Sequence, residues 1–267
     1  MQTIGFVGAG NMACALGGGI ASDSGNSFSV IASDPSPEAG ERFRSETGGR
    51  IVADIGELAE QADVVILAVK PQVLPDILPQ IRSSNAEKLV VSIAAGISLR
   101  QMQSALGDRA RIIRAMPNTP SLIRRGMTVL APGPTASERD LDLARQLFST
   151  AGRVLDVADE GLLDAVTAVS GSGPGFLFAY AEGMIEAGVR AGLPLDMTKV
   201  LVQETIAGAA ELWRSSDRGA GDLRRQVTSP GGTTEAGLAA LTQADLAGAI
   251  DAAIQAATRR SQELSGS

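Results

Sequence analysis

Gly8, Gly10 and Ala13 stand at G-x-G-x-x-A spacing, directly after the apolar run Thr3-Ile4-Gly5-Phe6-Val7 and directly before a stretch of helical periodicity. In that context the spacing reads as a nucleotide-binding turn. Gly8 permits a tight reversal, Gly10 lets a pyrophosphate approach the backbone, and the amides of Asn11 and Met12 open a helix whose positive dipole end faces the anion. A ligand-free glycine turn is the competing reading, and the acid that follows weighs against it. Asp34 comes after Ser33 at the end of a second β-branched run, where a carboxylate hydrogen-bonds the ribose 2′-hydroxyl of NAD and repels the 2′-phosphate of NADP. Ser33, Ser36, Arg42 and Arg44 lie close by and could accommodate that phosphate, and Asp34-Pro35-Ser36 reads equally well as a turn before a helix. Both NADPH and NADH therefore stay open as cofactors.

Five further clusters could line a ligand site. Ala68-Val69-Lys70-Pro71 and Ala94-Ala95-Gly96 close two apolar runs, at the carboxyl edge of a sheet where α/β proteins form their ligand crevice. Lys70 on its own reads as a solvated charge at a strand end. The two prolines of Arg114-Ala115-Met116-Pro117-Asn118-Thr119-Pro120 stiffen a loop that places Asn118. Further along, Ser170-Gly171-Ser172-Gly173-Pro174 has the form of a helix-to-helix connection with Pro in a first turn. Thr228-Ser229-Pro230-Gly231-Gly232-Thr233-Thr234 precedes a helix with Gly232 or Thr233 as N-cap, and bare amides at such a start suit a carboxylate.

The elements that must position these residues alternate. Strands are predicted at Thr3–Val7, Ser29–Ala32, Val64–Val69, Leu89–Ile93 and Arg111–Arg114, with weaker ones near Arg50–Val52, Met127–Leu130 and Val154–Val157. Helices are predicted at about 11–22, 36–46, 55–61, 73–82 and 98–106. Such alternation implies a mostly parallel, doubly wound sheet, an α/β Rossmann-type domain over 1–157. From 158 to 267 the chain turns to Ala, Leu, Glu and Gln at helical spacing, which predicts an all-α second domain, the part to which the resemblance given below assigns substrate binding and dimerisation. Its helix at about 174–191 is apolar on nearly every side and should be buried, centrally or against a second subunit.

Composition narrows the chemistry. The 267 residues include one cysteine, Cys14, and no histidine, which excludes an intrachain disulfide, a multi-cysteine zinc site, Ser-His and Cys-His nucleophile pairs and the HExxH metal helix. No metal is expected, and the chemical power must come from a cofactor. With 23 Lys plus Arg against 30 Asp plus Glu, a nucleic-acid partner is not expected. No apolar run approaches the roughly 18 residues of a membrane span, and Met1-Gln2-Thr3-Ile4 lacks a basic leader, so a cytoplasmic protein is expected.

Taken together, these motifs resemble the pyrroline-5-carboxylate reductase family over essentially the whole chain. Ile4 to Met12 is shared with many dehydrogenases, whereas Ser170–Pro174 and Thr228–Thr234 in this order are far more specific. The resemblance implies reduction of 1-pyrroline-5-carboxylate to L-proline, the last step of proline biosynthesis, with hydride from NADPH or NADH. It implies a cofactor bound by Gly8, Gly10, Asn11, Met12, Ser33, Asp34, Ala68, Val69, Lys70, Pro71, Ala94 and Asn118. The substrate carboxylate would lie on Ser229, Gly231, Gly232 and Thr233, with the Thr234 hydroxyl approaching the imine nitrogen as the catalytic residue. It further implies an obligate homodimer with interleaved helical domains, which can assemble into rings of dimers such as a decamer. A protonated imine is already electrophilic, which accounts for the missing histidine. Some positions depart from the family's usual pattern: Gly175 stands where Ala is common, Asp54 near where many members carry an Asn at the adenosine end, and Gly219-Ala220 where His-Pro is more usual.

Two other readings compete. Hydroxyacid reductases of the same plan use a lysine on the first long helix of the second domain, and no lysine occurs here between Lys88 and Lys199. A dinucleotide-binding sensor without turnover shares the fold, and the Ser229–Thr234 segment argues against it.

Overall fold

Parallel strands buried on both faces read as near-continuous apolar runs, and the long strand runs of the first half of this chain have that character. The computed structural model describes residues 1–23, 28–84 and 88–265. Strands β1 (Gln2–Val7), β2 (Phe28–Ser33), β3 (Arg50–Ile51), β4 (Val64–Leu67), β5 (Leu89–Ser92), β6 (Arg111–Met116), β7 (Gly126–Pro132) and β8 (Gly152–Asp156) form one sheet in the order β3-β2-β1-β4-β5-β6-β7-β8. All neighbours pair in parallel except β6 with β7. Helices α1 (Asn11–Ser22), α2 (Pro37–Thr47), α3 (Ile55–Gln61), α4 (Leu74–Ser84), α5 (Leu99–Leu106) and α6 (Glu138–Ser149) connect them.

Alternation along the strands divides the core in two. Ile4 and Phe6 of β1 and Val64 and Ile66 of β4 pack with Leu16, Phe43 and Phe148 on one face, with the Phe6 and Phe43 rings 5.6 Å apart. Val7, Val65 and Leu67 pack with Leu58, Leu74 and Ile112 on the other. Polar residues at helix starts fix where each crossover begins. Ser36 accepts from the Ala39 amide to cap α2, and Asp54 accepts from the Glu57 amide to cap α3, which gives Asp54 a structural task.

The remaining helices are α7 (Leu162–Val166), α8 (Gly173–Arg190), α9 (Leu195–Arg214), α10 (Ala220–Gln226), α11 (Thr233–Gln243) and α12 (Leu246–Ser265), with a π-helical turn at Thr167–Gly171 between α7 and α8. One compact unit comprises Met1–Pro174 with Ala256–Ser267, and the second comprises Gly175–Gln255. The division thus falls later than the 157/158 expected from the change in sequence character. The cause is packing that composition does not announce. Leu163 of α7 joins Val129 and Ala131 of β7, and the end of α12 returns to the first unit, where the buried Ser261 hydroxyl donates to Asp164 at 2.5 Å. Ser261→Ala would strand the Asp164 carboxylate. A loss of about 1–3 kcal/mol of unfolding free energy is expected, read from urea denaturation at fixed protein concentration. An unchanged midpoint would assign the contact no energetic role.

In the second unit, α8 has no buried residue. Phe178, Tyr180, Val200 and Trp213 are each about half exposed or more. Of the two burial modes expected for α8, the central one is therefore not found in the single chain. The run Leu162–Arg190 is long and apolar enough, by length and composition, to cross a membrane, contrary to the expectation that no such run occurs. It spans α7, the π-turn and α8, whose separate boundaries hid its length, and it carries Asp164, Glu182, Glu186 and Arg190.

Candidate active site

The glycine turn is held by backbone contacts that only glycine permits. Gly8 has φ +96°, and a Cβ there would lie 2.7 Å from the Ala68 carbonyl oxygen and 2.8 Å from Val69 Cγ1. The turn is thereby pressed against the end of β4, with the Gly8 amide donating to the Ser33 carbonyl at 2.9 Å. Gly10 differs: a Cβ there would meet nothing within 4 Å, so the space beside the N-terminus of α1 is open. Gly10 caps α1 without a side-chain acceptor, which leaves the first amides of a 12-residue helix unfilled. Open space, bare amides and a dipole end fit the pyrophosphate of a dinucleotide. Burial pushes the neighbouring Cys14 thiol up in pKa, against an opposing pull from Arg42, so Cys14 is an inert packing residue.

Asp34 sits beside this turn, but its carboxylate is already engaged. One oxygen accepts from the Ala9 amide at 2.7 Å and the other from the Ser36 amide at 2.9 Å. The Arg42 guanidinium reaches the Ala9 carbonyl at 3.4 Å, bringing a cation to the same corner. The sequence left Asp34 open between a ribose ligand and a turn before a helix, and the contacts it makes here are those of the turn. Asp34→Ala should therefore raise KM for NADH and NADPH alike, by about tenfold, the equivalent of one charge-assisted hydrogen bond. Steady-state kinetics with each cofactor check this. A change for NADH alone would return Asp34 to ribose recognition.

The other strand-end residues gather at the same edge of the sheet. Ala68 and Val69 line the turn, Lys70 is exposed at the head of a 3-10 turn beginning at Pro71, and Ala94 is buried after β5 with its amide on Ser92 Oγ at 3.3 Å. Asn118 follows β6, and its side chain binds protein: Oδ1 accepts from the Met127 amide at 2.8 Å, and Nδ2 donates to both the carbonyl and the hydroxyl of Ser170 at 3.2 Å.

In the second unit, Ser229 to Thr234 forms a tight turn into α11. Gly231 has φ +69°, Gly232 is the N-cap, and the Gly232 amide donates to the Ser229 carbonyl at 3.0 Å. Glu235 accepts from the Gly231 amide at 2.7 Å. Both glycine amides expected to receive a carboxylate thus have partners within the chain. The donors without a helical acceptor are the first amides of α11 itself, from Thr233 onward. Thr233 and Thr234 are exposed there.

Glu235 was not among the residues singled out from the sequence, although Thr-Thr-Glu at a helix start has the pattern of a carboxylate reaching back to a preceding amide. Also missed was the partly buried ion pair of Arg114 with Glu160, in which Glu160 also accepts from the Leu99 amide at 2.7 Å. An arginine in the interior of β6, between Ile113 and Ala115, was the available signal. Among the described residues, no group of three or more potential metal ligands comes together.

Comparison with known proteins bears on both units. Residues 160–264 match the family model for pyrroline-5-carboxylate reductase dimerisation, and residues 3–96 match the model for NADP oxidoreductase, coenzyme F420-dependent. The pyrroline-5-carboxylate reductase of Pseudomonas aeruginosa is 38% identical over 98% of this chain and 96% of its own. The chain belongs to the pyrroline-5-carboxylate reductase family. Solved structures of the family agree: the reductase of Coxiella burnetii superposes with a TM-score of 0.92 at 33% identity, covering 99% of this chain and 98% of that one. That of Plasmodium falciparum, solved with NADP bound, gives 0.87 at 29% identity with the same coverage. The N-terminal domain is of Rossmann type, with its mostly parallel doubly wound sheet, and the exposed apolar faces of α8 and α9 fall within the dimerisation match.

Proposed function

We propose that the protein reduces 1-pyrroline-5-carboxylate to L-proline at the expense of NADPH or NADH, closing proline biosynthesis. The observation that carries this reading is likeness at 38% identity along 98% of the chain, with the glycine turn inside the 3–96 match and the Ser229–Thr234 turn inside the 160–264 match. Gly8, Gly10, Asn11 and Met12 would hold the pyrophosphate, and Ser33, Asp34 and Arg42 the adenosine end. Ala68, Val69, Lys70, Pro71, Ala94 and Asn118 would border the cofactor along the sheet edge. When bound, the reduced nicotinamide supplies the hydride. The chain's own task is to fix the imine carbon and neutralise the substrate's carboxylate. Ser229, Gly231, Gly232 and Thr233 form the turn that would receive that carboxylate, with the α11 amides as donors. The Thr234 hydroxyl would approach the imine nitrogen, where a proton must be held as the carbon is reduced.

In this reading the working form is a homo-oligomer. Its unit is an obligate dimer built on residues 158–267, able to form rings of dimers, while 1–157 carries the cofactor. The exposed Phe178, Val200 and Trp213 are the surfaces a partner would cover. A cytoplasmic setting suits the single buried thiol of Cys14. The test is the loss of absorbance of NADPH or NADH on adding the imine, followed by identification of proline. Cofactor binding without oxidation would instead identify a sensor.

A further inference from the structure

Asn118 has every contact of its side chain inside the protein. The Met127 amide can only donate, so it fixes Oδ1 as the atom facing β7 and turns Nδ2 toward Ser170. The loop that carries it is stiff: Pro117 precedes it, Pro120 follows, and the Ser121 amide donates to the Asn118 carbonyl at 3.1 Å. Asn118 therefore offers a fixed amine to a fixed point.

That point has an unusual need for it. In a regular helix the Ser170 carbonyl would accept from the amide four residues on, which is Pro174 and carries no hydrogen. The chain is already widened just upstream, where the Ser172 amide donates to the Thr167 carbonyl at 2.8 Å across the π-turn Thr167–Gly171. π-Turns inside helices sit frequently at functional sites because they re-aim the following residues. Asn118 Nδ2 fills the lost bond of the Ser170 carbonyl and binds the Ser170 hydroxyl as well. Gly171 lies next to Met116 at the end of β6, so this turn borders the carboxyl edge of the sheet. Dinucleotides lie along that edge in this class of fold.

We propose that Asn118 is a positioning residue of the reductase site: it pins Ser170, and through it the Ser170–Gly173 turn, as a wall at the carboxyl end of β6, and does not bind the cofactor itself. This rests on the reductase reading, and it replaces the cofactor contact assigned to Asn118 there. The pinned turn acts on how the reacting groups meet, whereas pyrophosphate affinity comes from Gly8, Gly10 and α1.

Asn118→Asp separates the two halves of the bracket. The aspartate still accepts from Met127 but loses the donor and sets a negative charge against the Ser170 carbonyl. Three measurements on the full-length protein test the assignment: hydrogen–deuterium exchange of peptides covering 167–173, NADPH affinity by fluorescence titration, and kcat with the imine. Faster exchange in 167–173 is expected, with kcat lowered about tenfold and NADPH affinity within about twofold of the wild type. Ser170→Ala, which removes only the hydroxyl, should lower kcat by about threefold, and the double variant should be no worse than Asn118→Asp alone, the mark of one shared interaction. Weakened NADPH binding with unchanged exchange would make Asn118 a direct cofactor ligand and overturn the proposal. So would faster exchange with unchanged kcat. If Asn118→Asp does not fold, the same readouts on Ser170→Ala decide the matter. Exchange and NADPH titration need no imine, so failure of the wild type to turn over the imine refutes the reductase reading separately.

Discussion

Gly8→Ala should all but abolish dinucleotide binding while leaving a folded chain. An alanine at φ +96° carries a backbone penalty of about 1–2 kcal/mol, and its Cβ would stand 2.7 Å from the Ala68 carbonyl oxygen, which cannot swing aside as a side-chain tip would. Either the turn lifts off β4 or the end of β4 moves, and both displace the N-terminus of α1. A loss of at least about a hundredfold in NADPH affinity is expected, roughly 2.7 kcal/mol, measured by fluorescence titration. Gly10→Ala is the matched comparison. Its Cβ meets no atom within 4 Å, so the melting temperature of the cofactor-free protein should stay put while affinity drops, because the methyl group occupies the space a pyrophosphate needs. Wild-type affinity in both variants would remove the glycine turn from cofactor binding altogether.

Thr234→Ala is expected to lower kcat by about ten- to a hundredfold, corresponding to about 1–3 kcal/mol for a hydrogen bond made in the transition state. Thr234 is exposed in the first turn of α11, and the N-cap of that helix is Gly232 without a side-chain acceptor, so the Thr234 hydroxyl is not the cap that holds the turn. NADPH affinity should stay close to wild type, since the glycine turn belongs to the other unit. A kcat within about twofold of wild type, less than 0.5 kcal/mol, would reduce Thr234 to a residue of the helix start. A lowered melting temperature with unchanged kcat would point the same way. Glu235 is a useful neighbour in the same experiment, because it holds the Gly231 amide and thus the shape of the turn from which Thr234 projects.

Much of the fold is written locally. Helix α1 runs over 11–22 and α3 over 55–61, the spans periodicity predicts, because an N-terminal turn residue and an apolar face are both encoded within a few positions. The pairing of β7 is different. Its residues read as a strand, but whether a strand joins the sheet parallel or antiparallel depends on the path of the connection. Here the short segment after Asn118 reverses the chain against β6. Site residues divide in the same way. The spacing of Gly8 and Gly10 reveals a nucleotide turn because the chemistry needs small residues at fixed offsets. The bonds of Asp34 to Ala9, of Asn118 to Ser170 and of Arg114 to Glu160 reach across 25, 52 and 46 residues of chain, respectively, beyond any local pattern.

The sequence by itself determined the α/β plan, the glycine turn, the absence of histidine chemistry and the family likeness, all of which rest on residue type and short-range spacing. Only the tertiary structure decided which polar groups are already spent. It turned the Asp34 carboxylate to the Ala9 and Ser36 amides, gave the Gly231 amide to Glu235, and tied Asn118 to Ser170. It also left the apolar face of α8 uncovered within one chain. The physical reason is common to these cases: a side chain's hydrogen-bonding capacity is read from its type, but its partner is chosen by folding, which brings distant backbone groups within about 3 Å.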